Sequence, residues 1–323
     1  MRTKMSLCDL PPAKRPRTEE DTIVRSEIWY KDGSIVLQAA NTQFRVHFGL
    51  LAAHSTVFRD MHEMPQPETQ SNTVDGCPLV EIQDDPEDVK NLLLVLYSPT
   101  LLSQMPLSFP IVAALIRLGS KYDFGELRSV AVKWMHRRFP STLEKFHVRY
   151  ESASSGALSS NILFDVLELA IENGIECCLP AIYYEIIRLP KREWVDGSAR
   201  PSGTVAHLKP ARLRTCMSAF DRLIKAPFQP GYIFSWMTKP PRLDTCDNFQ
   251  VCVEERFHKL RICINNGSCS CLLMSFNAEM FRQCAPCQKQ IGDLLVSGRQ
   301  KGWDDLPGFF DLPAWGELKS GLP

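Results

Sequence analysis

The sequence predicts an α+β protein: a small β-sheet flanked by helical hairpins at the N-terminal end, then a mainly helical and cysteine-rich C-terminal region. Three observations carry this. The stretch SEIWYKDGSIVLQAANTQFRV contains alternating apolar positions around the turn signals KDG and ANTQ, the pattern of a hairpin. From Asp84 to Phe139 the apolar residues recur mostly at helical spacing. Seven of the 12 cysteines fall between Cys246 and Cys287.

The bulk composition narrows the class. A chain of 323 residues has room for two or three domains, and 44% hydrophobic with 23% charged residues sustains a buried core. A formal net charge of +0 argues against a protein that is basic throughout and coats nucleic acid. The longest apolar runs, Leu92–Leu96 and Ile111–Ile116, fall far short of the ~18 residues that a membrane helix needs. The opening MRTKMSLCDLPPAKRPRTEED has no apolar signal segment, so the cysteines are expected as reduced thiols or metal ligands rather than disulfides.

In order along the chain, residues 1–24 read as a disordered basic tail with little to bury. Within it Lys14, Arg15 and Arg17, set among prolines, form the extended basic cluster that a nuclear import receptor grips, so the nucleus is the expected location and the cytoplasm the alternative. In the hairpin, Ile35 and Leu37 are expected on one face, alternating with Val36 and Gln38; Phe44 and Val46 start the return strand. Two short helices follow, one over about His47–Ala53 and one opening at Ser55, a favourable N-cap, with Val57, Phe58 and Met61 on one side. Met64–Pro78 reads as a loop and Leu79–Gln83 as a third strand. Acidic residues and Pro86 then mark a helix start, with Val89, Leu92, Leu93 and Leu96 as its apolar face. Two more helices are broken near Gly119–Phe124.

Residues 25–138 are thus expected as one compact α+β domain, 139–225 as a helical extension and 226–323 as the cysteine-rich region. In the extension, ESASSGALSS reads as a polar linker and Asn161–Ile187 as helical, with Ile162, Val166, Leu169 and Ala170 in a stripe. Residues 191–207 read as a loop. A further helix places Leu213, Met217, Phe220 and Ile224 at helical spacing. No internal repeat is evident.

The N-terminal domain resembles a BTB/POZ domain. The residues that carry the likeness are FRVHFGLLAAHSTVFRDM, LVEIQDDPEDVKNLLLVLYS and IVAALIRLGSKYDFGELRSVAVKWM. The family's pattern falls in order at Phe44, Val46, His47, Leu51, Ala52, Ser55 and Phe58, then Asp84/Asp85, Leu93 and Tyr97, then Ala113, Lys121, Tyr122 and Leu127. The opening SEIWYKDGSIVLQA and the tail WDDLPGFFDLPAWGEL also resemble an uncharacterised group of BTB proteins common in mushroom-forming fungi.

The resemblance implies an interaction module that forms homodimers through its hairpin and first helices and recruits other proteins, above all corepressors or cullin-type ubiquitin ligases. Phe44, His47, Phe48, Leu51, Ser55, Phe58 and Met61 are the residues it assigns to the fold and dimer face. Two departures matter. Ser34 and Phe48 stand where the repressor class has charges. The loop SPTLLSQMPLSFP lacks the acid common in cullin binders.

Candidate chemistry is sparse. His47 and His54, seven residues apart, would sit about 10 Å apart along one helix, too far to share a metal, and Ser55 breaks that helix. His47 is expected as a structural residue of the fold. The C-x-x-C pair Cys284 and Cys287 has the spacing of a zinc knuckle, and Cys269 with Cys271 could complete four ligands, as could Cys263 and His258. Buried reduced thiols are the other reading of the same residues, with no cofactor at all. The aromatic tail is expected to fold back and bury Trp303, Phe309, Phe310 and Trp315. No phosphate loop, paired-carboxylate signature or nucleophile elbow occurs, so an enzyme is not expected. The expected function is a dimeric scaffold or adaptor; the alternative is a transcription-associated nuclear regulator with a zinc-binding C-terminal region.

Overall fold

A computed structural model describes residues 22–64, 72–103, 107–151, 158–240, 242, 244–266 and 272–322. Lys14, Arg15 and Arg17 of the basic cluster, Cys269 and Cys271, and most of the expected linker lie outside these residues. The chain divides into two compact units, residues 1–99 and 100–323.

The first unit holds a five-stranded mixed sheet in the order β1-β3-β2-β5-β4. Strands β1 (Val24–Trp29), β2 (Ile35–Ala39) and β3 (Thr42–Val46) come first. The β2–β3 hairpin forms as expected, with Leu37 opposite Phe44 and Gln38 opposite Gln43, whose side chains hydrogen-bond at 2.8 Å. Ala40 turns the chain at a positive φ of 47°. The alternation expected in β2 does not hold, because Val36 is as buried as Ile35 and Leu37. The reason is position: β2 lies mid-sheet between β3 and β5 and is buried on both faces, as parallel-paired central strands are.

Two short helices follow, α1 (Phe48–His54) and α2 (Thr56–Glu63), with Ser55 between them. The Ser55 hydroxyl accepts from Phe58 N–H at 3.0 Å and caps α2. The expected loop from Met64 to Pro78 is in part strand. Strand β4 (Thr73–Val74) pairs antiparallel with β5 (Cys77–Ile82) across Asp75–Gly76, both at positive φ. Asp-Gly at such angles is a strong two-residue hairpin signal, which the surrounding polar run concealed. Helix α3 (Pro86–Tyr97) starts where acid and proline placed it. Asp85 accepts from Glu87 and Asp88 N–H, and Val89, Leu92, Leu93 and Leu96 are all buried.

The second unit is helical. The pair α4 (Phe109–Lys121) and α5 (Gly125–Arg138) breaks where expected, at Tyr122–Phe124, with Asp123 at positive φ. Then come α6 (Leu143–Glu151), α7 (Ser160–Glu172) and α8 (Leu179–Ile187). Arg138 and Arg149 converge on the nine-tenths-buried Glu185 at 3.2 and 2.5 Å. The expected loop at 191–207 contains α9 (Lys191–Asp196) and a small hairpin, β6 (Ser198–Ala199) with β7 (Val205–Ala206). Helix α10 (Pro210–Lys225) forms, but its buried stripe is Cys216, Ala219 and Leu223, and Met217 is 56% exposed. Phe220 lies at the stripe's edge against Trp194, so the core face is one residue off the sequence reading.

The C-terminal part contains α11 (Phe249–Asn266), α12 (Ala285–Asp304) and the short α13 (Leu306–Phe309). A core of Ile233, Phe234, Trp236, Met237, Phe281, Ile291 and Leu295 joins this part. Gly298 lets α12 approach the chain at Tyr232–Ile233 so closely that a Cβ there would lie 2.5 Å from Ile233 N. The tail folds back as expected. Trp303 and Phe310 are buried, Trp315 stacks on Trp303 at 5.0 Å, and Phe310 stacks on Tyr183. Phe309 and Trp315 are only partly covered. Beyond the aromatics, Lys319 O accepts from Cys177 N–H and Gly321 O accepts from Arg128. Among the described residues no helix is long and apolar enough to cross a membrane.

Candidate functional site

Two places concentrate functional chemistry: the α1–α2 corner of the first unit and the thiol clusters of the second. At the corner, the backbone N–H of His47 donates to the Tyr97 hydroxyl at 2.8 Å, and Nδ1 lies 2.8 Å from the same oxygen. Nε2 faces Asp32 at 3.2 Å. A ring with its proton on Nε2 satisfies both contacts, with Nε2–H donating a hydrogen bond to Asp32 and Nδ1 accepting one from the Tyr97 hydroxyl. Hydrogen bonding from His47 holds the Asp32 carboxyl below its usual range. Burial raises the Tyr97 phenol and keeps it a donor. Tyr30 stacks on Tyr97 with ring centroids at 4.3 Å. His47 therefore ties the start of α1 to Tyr97 and Asp32; His54 is exposed at the far end of that helix.

The seven residues expected at this corner divide into two sets. Phe44, Leu51, Ser55 and Phe58 are buried and hold the fold. His47, Phe48 and Met61 are half-buried. Phe48 N–H donates to Ser34 Oγ at 3.0 Å, and the Phe48 ring meets His62 edge-on. Solvent-exposed apolar side chains nearby in sequence are Val57 on α2, Met64 after it, Val24 at the start of the edge strand β1 and Ile23 just before it.

The second place is built by two helix starts. Cys284 is the N-cap of α12 and Cys287 lies in its first turn. Cys252 sits in the first turn of α11, and Cys246 precedes that helix. The four sulfur atoms lie within 4.8 Å of one another, Cys246 and Cys284 at 3.7 Å. Cys284 N–H points at Cys252 Sγ at 3.3 Å. Arg256, one turn along α11 from Cys252, is buried and reaches Cys287 Sγ at 3.9 Å while donating to Trp236 O and Lys239 O. Burial opposes charge on Cys284, yet the N–H groups of Cys287 and Asp247 and the neighbouring thiols bring it down to about 6. Burial first, then the thiols of Cys284 and Cys246, push Cys287 up to about 12.

These residues can hold a metal. Half of the expected ligand set, Cys284 with Cys287, is in the cluster. Its companions are Cys246 and Cys252, while Cys269 and Cys271 lie outside the described residues. Local spacing favoured the C-x-C pair. The available signal was CDNFQVC, two cysteines straddling a helix start.

A third group escaped sequence reading altogether. His136 on α5 lies 3.4 Å from Cys177 Sγ, beside Cys178, with the ring also at 2.8 Å from Ser320 O. The Cys178 thiol donates to Cys177 and the His136 imidazole adds to this, so Cys177 falls to about 5 despite burial, while Cys178 is pushed up. Nothing in the local spacing joins a histidine to cysteines 41 residues away.

Residues 30–137 match the BTB/POZ domain family. The match begins just after β1, takes in strands β2 to β5 and the α1–α2 corner, and runs to the last turn of α5. The chain therefore carries a BTB/POZ domain, a protein-interaction module, at the positions where the motifs placed it. No curated protein matches the chain.

Proposed function

We propose that the protein is a dimeric interaction scaffold or adaptor rather than an enzyme, pairing with a second copy through β1 and the α1–α2 corner and recruiting another protein. The BTB/POZ match over residues 30–137 carries this reading. Val57, Met64, Ile23 and Val24 support it, as exposed apolar side chains on and beside β1 and α2. A cullin-type ubiquitin ligase is the recruited class to test first. Ser34 and Phe48 stand where a corepressor groove carries charges, which argues against that class. Nuclear residence through Lys14, Arg15 and Arg17 and membership of the mushroom-type group belong to the same proposal.

A second reading, a transcription-associated nuclear regulator with a metal-binding C-terminal region, is favoured by one observation, the four-thiol cluster. Affinity purification of the full chain, compared with a chain lacking residues 25–138, separates the two. The adaptor reading predicts a cullin recovered with the first and lost with the second. Recovery of a corepressor, or of neither class, contradicts it.

A further inference from the structure

We propose that Cys246, Cys252, Cys284 and Cys287 bind one structural zinc ion. Zinc bonds thiolate at about 2.3 Å in a tetrahedron, which sets the sulfurs roughly 3.8 Å apart. The Cys246–Cys284 separation is 3.7 Å, and all four sulfurs fall within 4.8 Å of one another. Four cysteines fill a tetrahedron and leave no open position, the form of structural rather than catalytic zinc. A disulfide fits less well: its sulfurs must close to about 2.05 Å, and it would use only two of the four.

The surroundings suit a tetrathiolate. Zinc with four thiolates carries a net charge of two minus. Two helix starts present their positive ends to it, and the buried Arg256 guanidinium adds a full positive charge at 3.9 Å from Cys287. Arg256 is itself fixed by the Trp236 and Lys239 carbonyls at 2.8 and 2.6 Å, an outer-shell support of the kind that orients metal ligands. Binding forms four Zn–S bonds and releases the protons of those thiols; no electron transfer is involved. The ion would join the segment before α11 to the start of α12, beside the Trp236–Phe281 core contact. This inference is independent of the BTB/POZ reading.

The test is metal analysis of the full-length chain purified under reducing conditions from zinc-supplemented culture. The expected result is one zinc per chain, released when a mercurial titrates the thiols. Exchange with Co²⁺ should give the intense visible bands of a tetrahedral thiolate site. Cys252→Ser and Cys284→Ser should lose the zinc, and Cys177→Ser should keep it. Zinc-free wild-type protein, iron in place of zinc, or zinc lost from Cys177→Ser but kept in Cys284→Ser would each overturn the proposal. The wild-type measurement stands even if the ligand variants fail to fold.

Discussion

Ser55 and Asp85 cap helices in the N-terminal unit by accepting N–H bonds from residues two or three positions on. Cys284 opens α12 in the C-terminal part, but its contacts are thiols 32 and 38 residues away. The same contrast runs through both regions. The first unit is rich in short-range devices, the Ala40 turn, the Asp75–Gly76 turn, and Pro86 behind an acidic cap, beside the long-range His47–Tyr97 contact. The second is set by groups that meet only after folding: Arg138 and Arg149 on Glu185, Gly298 against Tyr232–Ile233, and four converging cysteines. The lesson is that local chemistry tolerates single losses, whereas a convergent site leaves the other members stranded.

This comparison makes graded predictions. Glu185→Ala should have the largest effect, about 3–5 kcal/mol, because it removes the buried carboxylate on which Arg138 and Arg149 both converge. Chemical denaturation with far-UV dichroism measures this. A loss below 1 kcal/mol would mean that the triad is solvated.

Gly298→Ala comes next, at about 1–3 kcal/mol. The new methyl meets backbone, which cannot swing aside as a side chain can. A variant as stable as wild type would show that the approach of α12 to Ile233 is looser than described. Ser55→Ala should cost about 1–2 kcal/mol, the value of one N-cap, and leave the sheet intact. If it unfolds the whole chain, the contrast between local and convergent support fails.

The smallest effect is on reactivity and not on stability. With Cys177 held near pKa 5, its nucleophilic thiolate is already formed at neutral pH, and protonation removes it only as pH falls through about 5. Alkylation of Cys177, followed by peptide mass spectrometry, should therefore proceed at pH 6.5, where an ordinary thiol is about 99% protonated. His136→Ala should move that dependence upward. A rate that rises only near pH 9 in the wild type would show that neither Cys178 nor His136 lowers the Cys177 thiol.

The same distinction explains what could be read from the sequence. The hairpin, the Ser55 and Asp85 caps and the α4–α5 break are all written in neighbouring residues. The β4–β5 hairpin was also written there, in Asp75–Gly76, but its strand is two residues long and sits in a polar run. Met217 and Val36 misled because helical or strand period gives a stripe without saying what covers it. The thiol partners could not be chosen by spacing. Cys246 and Cys252 reach Cys284 only because two helices begin side by side.

The central claim is that the BTB/POZ domain brings two copies of this chain together, and sedimentation velocity on the full chain tests it most directly. The account predicts twice the chain mass at low micromolar concentration, and the monomer mass for Val57→Asp with its helical signal unchanged. A wild-type chain that sediments as a monomer across the micromolar range would contradict it.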